Sequence, residues 1–316
     1  MLQTLGALSP RFVNRSWLRS LTVRGFSSPS DYGDQSSGGL PRFYSETLPP
    51  FKGNVIRVQG DEFWHMTKVL RLSTNDRVQL FNGKGGLVEG CIQNIDRTGL
   101  DFVALNDLIS IPPPNTQLHV FAGFGTLKGG RADWLVEKCT ELGANSVTPL
   151  LTERSPSISE SRVDRLERVI LAASKQCQRL HEMVLKPPVE IDNLLLLIAQ
   201  SKLSLIATAK ATPVLSALTS LEKETRGLII IGPEGDFTEK EMSMMMEAGA
   251  TAVGLGPLRL RVETATIALL ATVMSWSESQ QTSGMITSHE LFFLNIIHPS
   301  SVHHLHKQIL AHHYPS

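Results

Sequence analysis

Cysteine is scarce in this chain of 316 residues. The three cysteines, Cys91, Cys139 and Cys177, lie far apart and form no Cys-x-x-Cys pair. This spacing excludes a disulfide framework and gives no support to a zinc site, so we expect no metal and a reducing compartment. Cys139 shares the apolar face of a predicted helix with Leu135 and Leu142, which predicts a role in core packing.

Long hydrophobic runs and net charge are also lacking. No apolar stretch is long enough to cross a bilayer, so we expect no membrane partner. The chain has 30 Lys and Arg against 30 Asp and Glu, a balance that is unusual for a protein that meets nucleic acid. However, residues 162–179 carry five basic and two acidic side chains. This segment indicates either a positive helix face that holds phosphates or a solvated helix with local ion pairs.

Acidic residues are absent before Asp31, while arginines recur at positions 11, 15, 19 and 24 in a segment that also contains serine. This composition is typical of an organellar transit peptide, and Arg24-Gly25-Phe26-Ser27-Ser28 resembles a mitochondrial processing site. Plastid targeting fits almost as well, and a disordered tail is the plainer alternative. Residues 1–40 are therefore predicted to be a transit peptide and linker, with the mature protein inside a mitochondrion or chloroplast.

Two loops rich in glycine and proline are the most informative features present. The first follows the apolar run Ile229-Ile230-Ile231, and the second follows residues 252–255. A β-branched run bounded by Gly and Pro predicts a buried parallel strand, and ligands bind beyond the carboxyl ends of such strands. Thr238 and Glu241 stand at capping-box spacing for the helix after the first loop, which Gly249 can end.

These loops predict a cofactor pocket built from backbone, because glycines let a ligand approach the main chain. A phosphate loop is the rival interpretation, but the Lys-Ser/Thr that it requires is missing, and Glu234 would repel phosphates. Either loop alone could also be an ordinary strand-to-helix turn. The predicted cofactor-binding residues are Gly232, Pro233, Glu234, Gly235, Leu255, Gly256, Leu260 and Arg261.

The rest of the pattern predicts two domains. Short strands near 55–58, 78–81, 87–95 and 100–105 indicate a small β-barrel over residues 41–112, with 83–86 as a hairpin end. The prolines at 112–114 mark a boundary. Beyond it, residues 115–278 alternate strands (118–121, 147–151, 203–207, 228–231) with helices (131–142, 162–181), which predicts a parallel sheet covered on both faces.

The motifs Gly-Pro-Glu-Gly at 232–235 and Leu-Gly…Leu-Arg…Glu-Thr-Ala at 255–265 resemble those of the RsmE family. This resemblance covers about residues 41–276 and includes Pro41-Arg42-Phe43-Tyr44, Glu153-Arg154-Ser155, and the segments 65–72, 128–143 and 176–179. It implies a knotted α/β methyltransferase domain of the SPOUT class behind a PUA-like barrel. It also implies transfer of a methyl group from S-adenosylmethionine to N3 of a uridine in small-subunit ribosomal RNA, by a homodimer acting on the RNA or the assembled subunit.

The same resemblance implies the RNA contacts. They are Arg42, His65, Lys68, Arg71, Lys128, Arg131, Arg154 and Arg179, with His65, Lys68 and Arg71 on a helix after Trp64. Arg261 and Glu263 are the candidates for a catalytic role, although a carboxylate in the first turn of a helix has a lowered pKa and makes a weak base.

This chain departs from the family pattern at several positions. It has Leu258-Arg259 where Arg usually follows Leu-Gly, Val262 where Thr usually precedes Glu, and Gly130 and Lys175 where acidic residues are common. A catalytically inactive RNA-binding or ribosome-assembly protein on the same fold therefore stays open, as does a nucleotide-binding signalling module. Residues 279–316, with seven histidines, are predicted to be a flexible tail rather than a metal site.

Overall fold

The computed structural model describes residues 39–219, 224 and 226–297, with the backbone alone for residues 281–297. The predicted transit peptide and the tail beyond residue 297 lie outside the described residues. In the described part of the chain, no helix combines the length and the hydropathy that a bilayer span requires.

The N-terminal domain is a six-stranded sheet with the path β1-β3-β4-β5-β2, and β6 pairs with β4. Only β1 and β3 are parallel. Its elements are β1 (Arg42–Tyr44), β2 (Val55–Val58), α1 (Gly60–Trp64), a π-helical turn (His65–Val69), β3 (Arg77–Phe81), β4 (Gly86–Ile95), β5 (Leu100–Ala104) and β6 (Ile109–Ser110). Phe43 of β1 and Val58 of β2 belong to one core although their strands end the path, so the sheet curves around that core.

The C-terminal domain contains a parallel seven-stranded sheet with the path β10-β8-β7-β12-β11-β13, and β9 also pairs with β8. Its strands are β7 (Gln117–Ala122), β8 (Ser146–Leu151), β9 (Val184–Leu185), β10 (Val189–Glu190), β11 (Ser204–Ala207), β12 (Arg226–Ile231) and β13 (Thr251–Val253). Its helices are α2 (Arg131–Glu141), α3 (Glu160–Gln176), α4 (Ile191–Gln200), α5 (Val214–Thr219), α6 (Glu239–Glu247) and α7 (Val262–Ile297).

Alternation along β12 explains why helices cover both faces of this sheet. Ile229 and Ile231 point into a core that includes residues of α2, α3, α5 and α7, whereas Leu228 and Ile230 point into a second core with α4 and α6. Cys139 lies in the first core beside Leu135, as predicted, and burial raises the pKa of its thiol to about 12.

The capping box predicted for α6 is confirmed. The backbone N–H of Thr238 donates to Glu241 at 2.8 Å, and the backbone N–H of Glu241 donates to Thr238 Oγ1 at 3.3 Å. Two predictions about helices, the end of α3 and the position of Arg71, were wrong. Helix α3 ends at Gln176 rather than near residue 181, because Gln178 has a φ of 54° that a right-handed helix does not allow.

Arg71 is likewise not on a helix: the helical turn ends at Val69, and Arg71 has a φ of 57°. Helix α7 continues past position 279, where the predicted tail begins, to Ile297. The short strands β1, β6, β9 and β10 and the helices α4 and α5 were not predicted.

Candidate functional site

Three loops at the carboxyl edge of the parallel sheet enclose a cavity of about 1070 Å³. They follow β11, β12 and β13, and the space is lined by residues 207–211, 213, 231–236, 254–262 and 265. This edge is where open α/β sheets bind ligands, and the volume suits a small organic cofactor.

All eight predicted cofactor residues line this one cavity. Their loops need glycine at two positions, because Gly235 has a φ of 98° and Gly256 a φ of 117°. In the first loop Asp236 follows with a φ of 70°, and its Oδ1 accepts the N–H of Phe237 at 2.8 Å. The turn therefore presents main chain to the cavity and is fixed from behind.

The loop after β11 was missed in the sequence, because Ala207-Thr208-Ala209-Lys210-Ala211-Thr212-Pro213 has no glycine to mark it. The N–H of Gly254 donates to the carbonyl of Thr212 at 2.8 Å. A Cβ on Gly254 would lie 2.7 Å from the carbonyl oxygen of Ala211. A side chain there would push apart two walls of the cavity. The left-handed φ of Lys210, 66°, is the strained feature of this loop.

Arg131, at the start of α2, joins the two predicted cofactor loops. Its Nε and Nη2 donate to Oε1 and Oε2 of Glu263, both at 2.8 Å, and its Nη1 donates to Oε1 of Glu234. The pair with Glu263 is bidentate, which is the strong geometry for a guanidinium and a carboxylate. Arg131 was predicted to contact RNA, and in the structure its guanidinium bonds two carboxylates of the site.

The side chain of Glu263 is 7% exposed. Hydrogen bonds from Arg131 lower the pKa of Glu263 more than burial raises it, and the carboxylates of Glu263 and Glu234 in turn raise the pKa of Arg131. The carboxylate of Glu263 is therefore ionised at neutral pH, and both of its oxygens accept hydrogen bonds from Arg131. It is a structural partner of Arg131 and a poor proton acceptor. Arg261, the other catalytic candidate, is exposed and lines the cavity.

Arg154 fixes the Gly-Pro-Glu-Gly turn from its other side. Its Nη1 donates to the carbonyl of Gly235 and, at 3.1 Å, to that of Asp236. The preceding residue is also held, because the N–H of Glu153 donates to Oε1 of the buried Glu241 at 2.9 Å. Arg154 remains exposed at the surface of the site, so its position allows a further contact. Lys128, in the loop before α2, is exposed near Arg131.

Arg179, which was also predicted to contact RNA, lies three residues beyond the end of α3 and is directed at main-chain carbonyls. Its guanidinium donates to the carbonyls of Thr140 at 2.8 Å and Ala144 at 2.6 Å, at the end of α2, and to that of His181. Burial lowers its pKa. The donors that would hold a phosphate are thus used on main-chain carbonyls at and beyond the end of α2.

The remaining predicted RNA contacts lie in the N-terminal domain. Arg42 donates to Gln79 Oε1 at 3.1 Å, while His65, Lys68 and Arg71 are exposed. This domain packs at the amino edge of the parallel sheet: the N–H of Gly85 donates to the carbonyl of Leu180 at 2.8 Å.

Helix α3 connects the two edges of the sheet. Arg162, in its first turn, donates to carbonyls of the loop after β7, and Lys175, in its last turn, lies 3.8 Å from Glu62 of α1. Its 17 residues make it about 25 Å long. The predicted RNA-binding residues thus form two groups at opposite ends of α3. No cluster of three or more potential metal ligands occurs among the residues with described side chains.

Two family models match the chain. The model described as an RNA methyltransferase domain matches residues 113–274, and that described as an RNA methyltransferase PUA domain matches residues 58–105. Ribosomal RNA small subunit methyltransferase E of Aquifex aeolicus is 26% identical over 238 residues, covering 74% of this chain and 99% of that protein. The protein of the same name from Mycobacterium bovis is 28% identical over 240 residues, covering 73% and 90%.

Solved structures agree with these relatives. A protein of Porphyromonas gingivalis described as a "probable rRNA-methyltransferase" has a TM-score of 0.63 and 27% identity, covering 76% of this chain and all of that chain. Ribosomal RNA small subunit methyltransferase E of Neisseria gonorrhoeae, bound to S-adenosyl methionine, has a TM-score of 0.59 and 24% identity, covering 74% and 97%. The predicted fold, a SPOUT-type α/β domain with a PUA-like N-terminal domain, is confirmed. The chain therefore belongs to the RsmE family of RNA methyltransferases.

Proposed function

We propose that this protein transfers a methyl group from S-adenosylmethionine to N3 of a uridine in small-subunit ribosomal RNA of an organelle. The observation that carries the proposal is that all eight predicted cofactor residues line one cavity at the carboxyl edge of the sheet. Its walls are glycine-containing main chain held from behind by Arg131 and Arg154. They offer backbone donors and acceptors, which suit an uncharged adenine edge.

Methyl transfer from this donor depends on the alignment of donor and acceptor more than on a reactive side chain. S-adenosylmethionine, when bound, supplies a methyl group already activated on a sulfonium. The protein has to hold N3 of the uridine in line with that methyl group, and positioning of this kind can supply about 7 kcal/mol or more in ideal cases. No covalent nucleophile on the protein is needed.

The proton on N3 must leave as the new bond forms, and in this proposal solvent water takes it, because neither catalytic candidate is suited to do so. Glu263 is not suited to accept it, because its carboxylate is buried and paired with Arg131. Arg261 cannot accept it either, because a guanidinium has no acceptor atom. From its place on the cavity wall, Arg261 is suited to stabilise the negative charge that develops on the uracil oxygens.

Nucleoside analysis tests the reaction. The purified protein would be incubated with methyl-labelled S-adenosylmethionine and small subunits from the organelle, and the RNA digested to nucleosides for mass spectrometry. We expect label in 3-methyluridine. Label in another nucleoside would contradict the uridine-N3 assignment. Tight RNA binding with no transfer would instead support the catalytically inactive RNA-binding protein, the alternative that the departures at Leu258 and Val262 permit.

We also propose a homodimer formed through the C-terminal domain. Trp134 of α2 and Leu258 of the cavity loop are exposed apolar side chains in the half of the molecule that contains the site, and a second copy would cover them. Light scattering at micromolar concentration should give twice the chain mass, and a monomer would contradict this proposal.

Location inside a mitochondrion or chloroplast is a further proposal, supported by the arginine-rich, acid-free composition before Asp31. Fusion of residues 1–40 to a fluorescent protein should direct it into one of these organelles. Retention of the fusion in the cytosol would contradict the proposal.

A further inference from the structure

An aromatic side chain stands in solvent at the end of α1. Trp64 is 59% exposed, whereas its neighbour Phe63 packs against the N-terminal core. Single exposed hydrophobic residues are common, so exposure alone assigns nothing. A binding role is indicated by the side chains beside Trp64.

Helical geometry places two further exposed side chains beside it. Lys68 and Val69 follow Trp64 by four and five residues, and both are exposed. The helix changes from α to π at His65, and a π turn aligns residues five apart. Such turns occur often at functional sites. One face of this short helix therefore presents a tryptophan, a valine and a lysine to solvent.

Two cationic side chains of this segment, those of Lys68 and Arg71, have no partner among the described residues. Arg42, Arg57 and Arg77 of the same domain each donate to a carboxylate or an amide. In contrast, the side chains of Lys68 and Arg71 form no hydrogen bond or ion pair with any described residue. Arg71 also holds a φ of 57°, which is unfavourable for a residue other than glycine.

We propose that Trp64 is a stacking platform for one unpaired base of the RNA, with Lys68 and Arg71 on the phosphates beside it. Proteins that bind single-stranded RNA combine an aromatic face for a base with cations along the backbone. This inference rests on the proposed function and adds a contact that neither the motifs nor the other site residues assign. Asp61 is exposed three residues before Trp64, so it repels phosphates from that side and directs them toward Lys68.

Within one chain, the base on Trp64 is not the base that enters the cavity to be methylated. Residues of α1 contact the last turn of α3, and the cavity lies toward its first turn, about 25 Å away. The platform therefore holds a part of the RNA remote from the reacting uridine and fixes the RNA relative to the cavity.

Anisotropy of a labelled oligomer tests the platform with the full chain and no cofactor. The probe is a fluorescein-labelled oligouridylate of about 12 nucleotides, a length within the usual site size of such proteins. Trp64→Ala should raise its Kd about 5- to 150-fold, the range measured for loss of one base-aromatic stack. Trp64→Phe, which keeps an aromatic face, should raise it less. Phe51→Ala is the matched control, because Phe51 is a 65% exposed aromatic of the same domain outside this segment.

An abasic oligomer of the same length separates stacking from charge. With no base to stack, the parent protein and Trp64→Ala should bind it equally. Equal Kd values for the parent and Trp64→Ala on oligouridylate would overturn the platform. The platform would also be overturned by an equal loss of affinity in Phe51→Ala, by an equal loss of affinity of Trp64→Ala for the abasic oligomer, or by no binding of oligouridylate to the parent. The last two outcomes would indicate that Trp64 contacts a protein partner or supports the fold.

Two readouts keep this result distinct from the proposed function. Cofactor binding by Trp64→Ala, measured with S-adenosylhomocysteine, should equal that of the parent, since the cavity belongs to the other domain. If the parent produces no methylated nucleoside, the proposed reaction fails while the anisotropy comparison still decides the platform.

Discussion

Arg131 and Glu263 are 132 positions apart in the chain and form a bidentate ion pair, with both N–O distances at 2.8 Å. Since Arg131 also bonds Glu234, the start of α2 ties together the loop after β12 and the first turn of α7. These two walls of the cavity are thus held together by the guanidinium of Arg131. Helix α2, which carries it, does not itself line the cavity.

Removal of Arg131 should destabilise the protein. Arg131→Ala leaves the buried carboxylate of Glu263 without its partner, which we expect to cost about 1–3 kcal/mol of unfolding free energy. Urea denaturation measures the loss. Arg131→Ala combined with Glu263→Gln should recover part of it, because no buried charge then stays unpaired. Additive losses in the double variant would contradict the coupling.

Stability should depend on pH through Glu263. Arg131 holds the pKa of this carboxyl below its ordinary value of 4.5, so the unfolded state binds the proton more tightly than the folded state. The contribution of the pair is fully present above about pH 4.5 and is lost as the pH falls through the lower folded pKa. The difference in unfolding free energy between the parent and Glu263→Gln should shrink over that acidic range. A difference that grows as the pH falls would have the wrong sign.

Loss of Arg154 should weaken cofactor binding. Arg154→Ala removes the hydrogen bonds to the carbonyls of Gly235 and Asp236, so the turn is less ordered before the ligand arrives. We expect the Kd for S-adenosylhomocysteine to rise by about tenfold, a loss of roughly 1.4 kcal/mol. If RNA affinity fell and the cofactor Kd did not change, Arg154 would instead be a phosphate contact.

Arg179 should matter for stability and not for RNA. Arg179→Ala would remove the guanidinium hydrogen bonds to the main-chain carbonyls at the end of α2 in a partly buried site, and we expect a cost of about 2–4 kcal/mol in thermal or urea unfolding. RNA affinity at a temperature where the variant is folded should equal that of the parent. A selective loss of RNA affinity with normal stability would restore the role predicted from the sequence.

The sequence allowed prediction of the features that depend on neighbouring residues. The buried run at 229–231, the glycines of the two loops and the capping box of α6 are local patterns, and the structure places each where the pattern indicates. The loop at 208–213 has no such pattern: its shape comes from contacts with Val253 and Gly254, and only the folded sheet brings those residues near.

The partners of charged residues were the least predictable part. Arg131, Arg154 and Arg179 all lie in segments that resemble family motifs, which suggested contacts with RNA. In the fold each donates to protein carboxylates or carbonyls that are distant in sequence. A sequence shows that an arginine is present, but only the tertiary structure shows which acceptors lie within hydrogen-bond distance of its guanidinium.

Calorimetric titration of the full chain with S-adenosylhomocysteine, beside the variant Ala265→Phe, shows whether the cavity at the carboxyl edge of the sheet holds the cofactor. Ala265 is a partly buried residue that lines the cavity, so the larger side chain would fill the space that the ligand needs. We predict a Kd on the order of micromolar for the parent and at least about a hundredfold weaker binding for a variant that still unfolds cooperatively. Equal binding by both proteins would place the cofactor elsewhere, and no binding by the parent would contradict the account.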